Sequence, residues 1–342
     1  MSLKNLSAKT KIPKHLKSYL ENKRINQIYK KFENSLILNE SFAVAVSGGP
    51  DSLALAFLAK IYSLKKKISS KFFIVDHRLR PESTNEAKLV KNILKLYSIN
   101  AQILSWKGIK PSKNIQSIAR KKRFELLYTR CEKSKVKNIL LGHHLDDLIE
   151  NFFIRLDRGS GLKGLISLDV KSQYKNLNVV RPLLSQKKED LIFLSKHVFN
   201  FFVDDPSNID EKYKRTRIRK MIDELKKNGL DKEKLLQTIK NLKYSNDVVD
   251  FYVNKNLDKN MIYLEKKNEL ILNKNFFIQS YEVVFRSLSD CLRMVGKKYY
   301  PVRGKKLDKI ISDIKDDRLF RVTLGGCIVE KVNQTIIISK EH

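Results

Sequence analysis

The stretch FAVAVSGGPDSLALAFL, residues 42–58, decides the fold, because two glycines, a proline and an aspartate interrupt an apolar run there. FAVAV predicts a buried strand, and SLALAFLAKIYSL (52–64) predicts a helix that follows it. The amides of a loop in this position and the helix N-terminus form a positive pocket for phosphate. Asp51 tolerates phosphate only if a divalent cation such as Mg²⁺ bridges them. The stretch therefore predicts a nucleotide site with metal; the alternative is a glycine turn with Ser52 or Asp51 as helix cap.

A strand–helix rhythm continues from residue 41 to residue 157. Further strands are predicted at KFFIVD (71–76), AQILSW (101–106) and NILLG (138–142), and further helices at 83–97, 114–134 and 145–157. Such alternation predicts an α/β fold with a doubly wound, mostly parallel, Rossmann-like sheet. Ligands of such sheets bind beyond the carboxyl ends of the strands.

The rhythm changes after about residue 219, which gives a prediction of four segments. They are a basic, helical N-terminal extension (1–40), a nucleotide-binding domain (41–219), a Lys-rich helical segment (220–295) and a small α+β C-terminal domain (296–342).

The composition indicates a polyanionic partner. The chain has 342 residues, with 69 Lys and Arg against 37 Asp and Glu, for a net charge of +32. Nucleic acid is favoured over an anionic membrane surface, although drift toward Lys, Asn and Ile is also expected from an AT-rich genome. No apolar run is long enough to cross a bilayer, and no secretory signal is evident. Three widely spaced cysteines predict neither disulfides nor a zinc site, so we expect a cytoplasmic protein.

Several motifs carry a resemblance to known enzymes. SGGPDS (47–52) resembles the SGGxDS signature of the PP-loop ATP pyrophosphatases, which cleave ATP between its α and β phosphates. It is followed by FIVDHRLRPES (73–83), LGHHLDDLIENFFIRLDRGSGLKGL (141–165), VVRPLL (179–184), VDDPSN (203–208) and YKRTRIR (213–219). In this order and spacing, residues 40–220 resemble the tRNA(Ile)-lysidine synthase family. YYPVRGKKL and FRVTLGGCIVE resemble that family's C-terminal region more faintly. The resemblance implies that residues 41–219 are the ATP-binding catalytic domain and that the C-terminal domain, 296–342, contacts tRNA.

The resemblance implies a reaction and its partners. ATP activates the 2-carbonyl oxygen of the wobble cytidine in a tRNA(Ile) with a CAU anticodon, and the ε-amine of free L-lysine then attacks that carbon. The products are lysidine, AMP and diphosphate, and the tRNA changes from methionine to isoleucine identity. The expected cofactors are ATP and Mg²⁺, and a homodimer is possible.

Candidate site residues follow from position and resemblance together. The loop supplies ATP contacts, with Asp51 also as a catalytic residue and metal ligand: Ser47, Gly48, Gly49, Pro50, Asp51 and Ser52. Asp76 and His77 at a strand end, and His143 before a helix, are further candidates for ATP binding. Asp147 and Glu150 share a helix face by their i, i+3 spacing. The resemblance implies a catalytic role for Asp147 and lysine binding for both, whereas a helix dipole alone also favours acids in a first turn.

Arginines complete the set of candidates. Arg120 or Arg123 matches an active-site arginine of the family, and the sequence leaves open which one; a solvated basic helix face is the alternative. The predicted tRNA contacts are Arg181, Arg215, Arg217 and Arg219, with Tyr213 as a residue on which a base stacks. Arg78 stands where many members carry glycine, so either it contacts phosphate or the turn does not need positive φ.

Two other functions remain open at this stage. A sister PP-loop enzyme is one, but a tRNA cytidine thiolase needs a cysteine pair and the chain has no C-x-x-C; a GMP synthetase needs an ammonia source, and no glutaminase domain is evident. The other is a non-catalytic RNA-binding protein on the same fold.

Overall fold

A computed structural model describes residues 12–111, 114–203, 212, 214–297, 302 and 304–341. Two compact units divide the chain, residues 1–232 and 233–342. In the first unit the elements are α1 (Lys14–Tyr19), α2 (Lys23–Ser35), β1 (Phe42–Val46), α3 (Pro50–Lys66), β2 (Ser70–Asp76), α4 (Ser83–Leu96), β3 (Ala101–Ser105), α5 (Ile115–Lys133), β4 (Asn138–Leu140), α6 (Leu145–Leu156), α7 (Leu162–Leu165), β5 (Lys171–Tyr174), β6 (Leu177–Val180), α8 (Lys188–Phe199) and α9 (Lys214–Lys227). The strands and helices predicted between residues 42 and 157 are confirmed, with ends shifted by a few residues.

The first unit is built on a six-stranded sheet in the order β3-β2-β1-β4-β6-β5. All neighbouring strands run parallel except β5, which pairs antiparallel with β6. The strand order reverses direction between β1 and β4, and open sheets of this kind bind ligands in the crevice at such a switch point. The sheet therefore directs the loops after β1 and β4 toward one site.

Helices cover both faces of this sheet, as the doubly wound prediction requires. On one face, α2, α3, α4 and α8 bury their apolar side chains against the sheet in a single large core. On the other face, Leu127 and Cys131 of α5 pack against Ala43, Phe73 and Ile139. Burial on both sides explains why β1 reads as a continuous apolar run, not as an alternating one.

The second unit combines α10 (Lys232–Asn260), which begins at the boundary, with a five-stranded antiparallel sheet and two further helices. Its other elements are β7 (Met261–Leu264), β8 (Glu269–Leu272), α11 (Tyr281–Gly296), α12 (Gly304–Lys315), β9 (Arg321–Leu324), β10 (Cys327–Val332) and β11 (Thr335–Lys340). The strand order is β7-β8-β11-β10-β9. Apolar side chains of α11 and α12 form one core with the sheet. Three short strands, β9, β10 and β11, lie within the predicted α+β C-terminal segment.

Two predicted segment boundaries are wrong. The predicted extension, 1–40, is not separate in its described part, residues 12–40, because α2 buries Ile25, Ile28 and Phe32 in the main core of the first unit. Residues 220–295 are not uniformly helical, because β7 and β8 form a hairpin inside this range. β8 pairs with β11, so a boundary at 295/296 would cut through one sheet.

Two further observations concern membranes and cysteines. Within the described ranges, no helix combines the length and apolar character that crossing a bilayer requires. Cys131, Cys291 and Cys327 are all free and buried.

The hairpin gives a test of the second core. Leu272 of β8 is fully buried, so we expect Leu272→Ala to lower the free energy of unfolding of the second unit by about 2–5 kcal/mol. Ile262→Ala on β7 is the matched control, because Ile262 is 62% exposed and its loss is expected to cost no more than about 0.5 kcal/mol. Denaturant unfolding of the two variants measures the difference; equal stabilities would contradict the hairpin's place in the core.

Candidate active site

The loop after β1 is closed by one serine hydroxyl. Ser52 Oγ accepts hydrogen bonds from the amides of Ser47 (3.0 Å) and Gly48 (3.1 Å) and donates to the carbonyl of Gly49 (3.0 Å). Ser47 Oγ lies 3.1 Å from the same atom. Ser52 is buried, so its hydroxyl holds the loop in shape, whereas the sequence predicted a direct contact with ATP. Ser52 therefore shapes the loop, and a contact of its side chain with ATP remains a prediction.

Distant parts of the chain hold this loop from outside. Gly48 has φ +90°, and a Cβ there would lie 2.7 Å from Val90 Cγ2 and 3.0 Å from Val203 Cγ2, so only glycine fits. The Val203 amide donates to the Gly48 carbonyl at 3.0 Å. Ser195 of α8, fully buried, donates from Oγ to the Pro50 carbonyl at 2.5 Å. The start of α3, with its outward-pointing amides, is thereby fixed relative to the sheet.

Asp51 has the features of a metal ligand in a nucleotide site. Its Oδ1 atom is buried and accepts no hydrogen bond, which is costly for a carboxylate unless a cation completes it. Among the described residues, no group of three or more His, Cys, Asp or Glu side chains is arranged to hold a metal alone. Mg²⁺ suits this donor set, because it is usually held by one or two carboxylates together with substrate phosphates and water.

The strand end after β4 brings a second carboxylate close to Asp51. Gly142 packs against the backbone of Asp51, and a Cβ there would lie 3.2 Å from the Asp51 carbonyl oxygen. His144 caps α6, accepting at Nδ1 from the Asp146 amide (3.2 Å), so that Nε2 carries the proton. That Nε2 lies 3.5 Å from Asp51 Oδ2 and 3.4 Å from Asp147 Oδ2. One imidazole therefore bridges two carboxylates.

The protonation states follow from these contacts. Burial opposes charge on His144, but the hydrogen bond with Asp51 and the negative charges of Asp147 and Asp51 raise the pKa of His144. Burial likewise opposes charge on Asp147, but His144, Arg215 and the His144 amide hold the pKa of Asp147 below its usual value. Asp147 is therefore an ionised carboxylate at neutral pH.

Asp147 and Glu150, the two predicted lysine-binding residues, are buried and already paired with arginines of α9. Arg215 Nη2 lies 3.2 Å from Asp147 Oδ1, and Arg215 Nε lies 2.8 Å from Glu150 Oε2. Arg219 Nε lies 2.6 Å from Glu150 Oε1. Two of the arginines predicted to contact tRNA thus meet the acids predicted to bind lysine. This contact could not be predicted from sequence, because Glu150 and Arg219 lie 69 residues apart.

A group of arginines lies around His143. Burial is the main cause that lowers the pKa of His143, and the positive charges of nearby arginines add to it: Arg181, Arg120 and Arg123. His143 Nδ1 is buried and has no hydrogen-bond partner, which suits a contact with a bound ligand. Arg120 and Arg123 both lie over the Phe124 ring, at 5.6 and 5.9 Å. Both arginines lie near His143, so either of them is placed to be the active-site arginine that the resemblance implies.

Arg181 does not lie at the surface, where a contact with tRNA was predicted for it. Its side chain is buried, and Nη1 donates to the Asp169 carbonyl and to Ser172 Oγ, both at 2.9 Å. These contacts point into the protein. Arg217, in contrast, is exposed, as a phosphate contact requires. Tyr213 and residues 204–208 of the VDDPSN motif lie outside the described residues.

The end of β2 is occupied by a closed turn. Asp76 accepts from Ser83 Oγ (3.0 Å), Thr84 Oγ1 (2.9 Å) and the Arg78 amide (3.1 Å), so both of its oxygens already have protein partners. Arg78 has φ +52°, which rules out the alternative in which its turn does not need positive φ. The carbonyl of His77 accepts from Lys110 Nζ at 3.0 Å. Asp76 thus holds the turn that presents His77, and ATP contacts of these two residues remain predictions.

Comparison with known proteins agrees with this geometry. Residues 19–225 match the PP-loop domain family, so the first unit is a PP-loop domain. A tRNA(Ile)-lysidine synthase of Orientia tsutsugamushi (strain Boryong) is 36% identical over 313 residues, covering 89% of this chain and 70% of the relative. One of Rickettsia akari (strain Hartford) is 34% identical over 327 residues, covering 92% and 74%. The chain belongs to the tRNA(Ile)-lysidine synthase family.

A solved structure supports the fold. The U34-tRNA thiolase NcsA from Methanococcus maripaludis, solved with its [4Fe-4S] cluster, superposes with a TM-score of 0.54 at 20% identity. The match covers 64% of this chain and 78% of that one. At this identity the likeness concerns the arrangement of strands and helices.

Ser195 gives a test of the support behind the loop. We expect Ser195→Ala to raise KM for ATP roughly fivefold, because about 1 kcal/mol of orientation is lost when the Pro50 carbonyl is released. The control is Ser63→Ala, a buried serine near the end of α3, the helix that begins at Pro50; its Oγ donates to the Lys60 carbonyl at 2.9 Å. Steady-state kinetics and thermal unfolding are measured on both. An equal change of KM in the two variants would refute a specific role of Ser195.

His144 gives a test by titration. In metal-free protein, NMR titration is expected to place its pKa above the ordinary value of 6.5, and Asp51→Asn is expected to bring it down. Because the folded-state pKa is raised, the stabilising contribution is fully present below pH 6.5 and is lost as the pH rises through the raised pKa. A pKa that does not respond to Asp51→Asn would contradict the bridge.

Proposed function

We propose that this protein ligates free L-lysine to carbon 2 of the wobble cytidine in a tRNA(Ile) with a CAU anticodon. The products are lysidine, AMP and diphosphate, and the tRNA changes from methionine to isoleucine identity. The observation that carries the proposal is a PP-loop whose Asp51 faces a second carboxylate, Asp147, across His144, in a chain of the lysidine synthase family.

ATP binding is assigned to the loop after β1. The amides that open α3 receive the phosphates, and Ser47, Gly48, Gly49 and Pro50 shape the loop. Asp51 would hold Mg²⁺, whose positive charge would offset the charge of the phosphates. His143 supplies an unpaired nitrogen, Nδ1, for a contact with the nucleotide or the activated base.

Lysine binding is assigned to Asp147 and Glu150. Because the pKa of Asp147 is lowered, this carboxylate suits holding an ammonium group better than removing its proton. Arg215 now neutralises both acids, so an incoming ammonium replaces a guanidinium and the site keeps its charge balance. Burial of the two acids makes this exchange necessary, since an unpaired buried carboxylate is costly.

The arginines are assigned to phosphate. Arg123 lies at an exposed position of α5, one turn from Arg120. Desolvation, together with the positive charges of Arg120 and Arg215, lowers the pKa of Arg123 to about 10. Such a cluster favours the charge that develops when ATP is cleaved between its α and β phosphates. We assign tRNA contacts to three arginines of α9, Arg215, Arg217 and Arg219. The proposal places the reaction in the cytoplasm, where tRNA is modified, and includes a homodimer.

A thiolase reaction is disfavoured by the cysteines. Cys131 lies in the first unit with burial raising its pKa to about 12, and the other two lie in the core of the second unit. Cysteines in such surroundings are poor nucleophiles and poor sulfur carriers.

The deciding experiment is mass spectrometry of tRNA incubated with the protein, ATP, Mg²⁺ and isotopically labelled lysine. We expect the label in the wobble nucleoside of the CAU-anticodon tRNA(Ile). Asp147→Asn and Glu150→Gln are each expected to lower kcat/KM for lysine about 100-fold, because a buried charge partner of the ammonium is lost.

The matched control is Asp146→Asn, in the same turn of α6, where the carboxylate pairs with Lys232 at 2.8 Å and lies outside the cluster. Its kcat/KM for lysine is expected to stay within a few-fold of the wild type. Equal labelling of a tRNA with another wobble base, or no labelling of the CAU-anticodon tRNA, would contradict the proposed function.

A further inference from the structure

A groove outside the ATP and lysine sites runs along the edge of the first unit's sheet. It has a volume of about 440 Å³ and lies between edge strand β3 with the loop that follows it and α5. Its apolar wall includes Leu104, Trp106 and Leu126. α5 lies on the sheet face opposite to α3, the helix whose first turn contains Asp51.

The polar lining of the groove is strongly basic. Lys122 and Glu125 neutralise each other at 2.8 Å. The remaining basic side chains are Lys107, Arg130 and Lys133, and none of them has an acidic partner within the part of the chain that the structure describes. Three unpaired cations along one groove attract an anionic ligand.

Arg130 is the residue that most clearly lacks a partner. Its Nε atom is shielded from solvent and donates no hydrogen bond, although a guanidinium N–H is a strong donor. A buried donor without an acceptor is rare and costs free energy, which a ligand oxygen in the groove would recover. Phosphate oxygens match the fork of a guanidinium best.

The placement of the unpaired cations favours an extended anion over a compact one. Lys107 lies on the loop after β3, whereas Arg130 and Lys133 lie on α5, so the cations line both walls of the groove. α5 also carries Arg120 and Arg123, two of the arginines around His143. A polyanion whose reacting group sits at the active site would follow α5 to reach this groove.

We propose that this groove binds the sugar–phosphate backbone of the RNA substrate beside its target nucleotide, with Arg130 and Lys133 on phosphates and the apolar wall against ribose. The inference rests on the proposed function for the identity of the RNA, but RNA binding in the groove is measurable without turnover. Phosphate contacts carry no base sequence, so they are expected to strengthen binding of all tRNAs alike.

The test measures affinity for the CAU-anticodon tRNA(Ile) and for a second tRNA at several salt concentrations, without lysine. We expect Arg130→Gln/Lys133→Gln to weaken both affinities about tenfold. The slope of log affinity against log salt is expected to fall by about 1.4 if both side chains contact single-stranded phosphates. Lys107→Gln, in an exposed loop where substitution does not threaten folding, is expected to give a smaller change in the same direction.

The control is Lys30→Gln/Lys31→Gln, which removes the same charge from exposed positions of α2 on the other face of the sheet. Affinities and slopes equal to those of this control in both groove variants would overturn the proposal. A raised KM for ATP with unchanged tRNA affinity would also overturn it, because the groove would then serve a small phosphate ligand. If wild-type protein binds RNA in the groove but forms no lysidine, only the proposed function fails.

Discussion

The closed loop at the end of β1 is the constraint on which the site depends. Its backbone turns through Gly48 at positive φ, in a space that Val90 and Val203 leave only for a residue without a Cβ. Ser52 ties the turn together from inside, and Ser195 holds it from α8. The direction of the first amides of α3 and of the Asp51 carboxylate follows from these contacts. Because these contacts order the loop before a ligand binds, binding does not carry the entropic cost of ordering it.

Local sequence patterns predicted the sheet of the first unit well, because each strand there is short, apolar and bounded by turn residues. The same reasoning missed the hairpin of β7 and β8, whose strands have four residues each and follow directly on the long helix α10. It also treated α2 as an appendage, although its burial in the core is encoded by Ile25, Ile28 and Phe32 at helical spacing. Basic residues on the exposed face masked that spacing.

The sequence predicted which residues form the candidate site, but not which side chains they contact. Sequence order placed Asp51, His143 and Asp147 at strand ends, and parallel topology brought those ends together. It could not show that His144, a helix cap, also bridges two carboxylates, or that Ser52 points into the loop. Such contacts depend on side-chain directions across separate elements. Arg78 illustrates the same limit, since residue type alone did not reveal a backbone at positive φ.

The carboxylates of the site make the arginines of α9 necessary. In a chain with a net charge of +32, acids are scarce, yet Asp147 and Glu150 are buried beside Asp51. Burying them unpaired would cost several kcal/mol, so Arg215 and Arg219 provide the compensating charge. Removal of Arg215 from these acids requires two replacements at once, a cation for the carboxylates and an anion for the guanidinium. An ammonium group and an RNA phosphate are the two charges that the proposed substrates bring, so their binding at this cluster is energetically coupled.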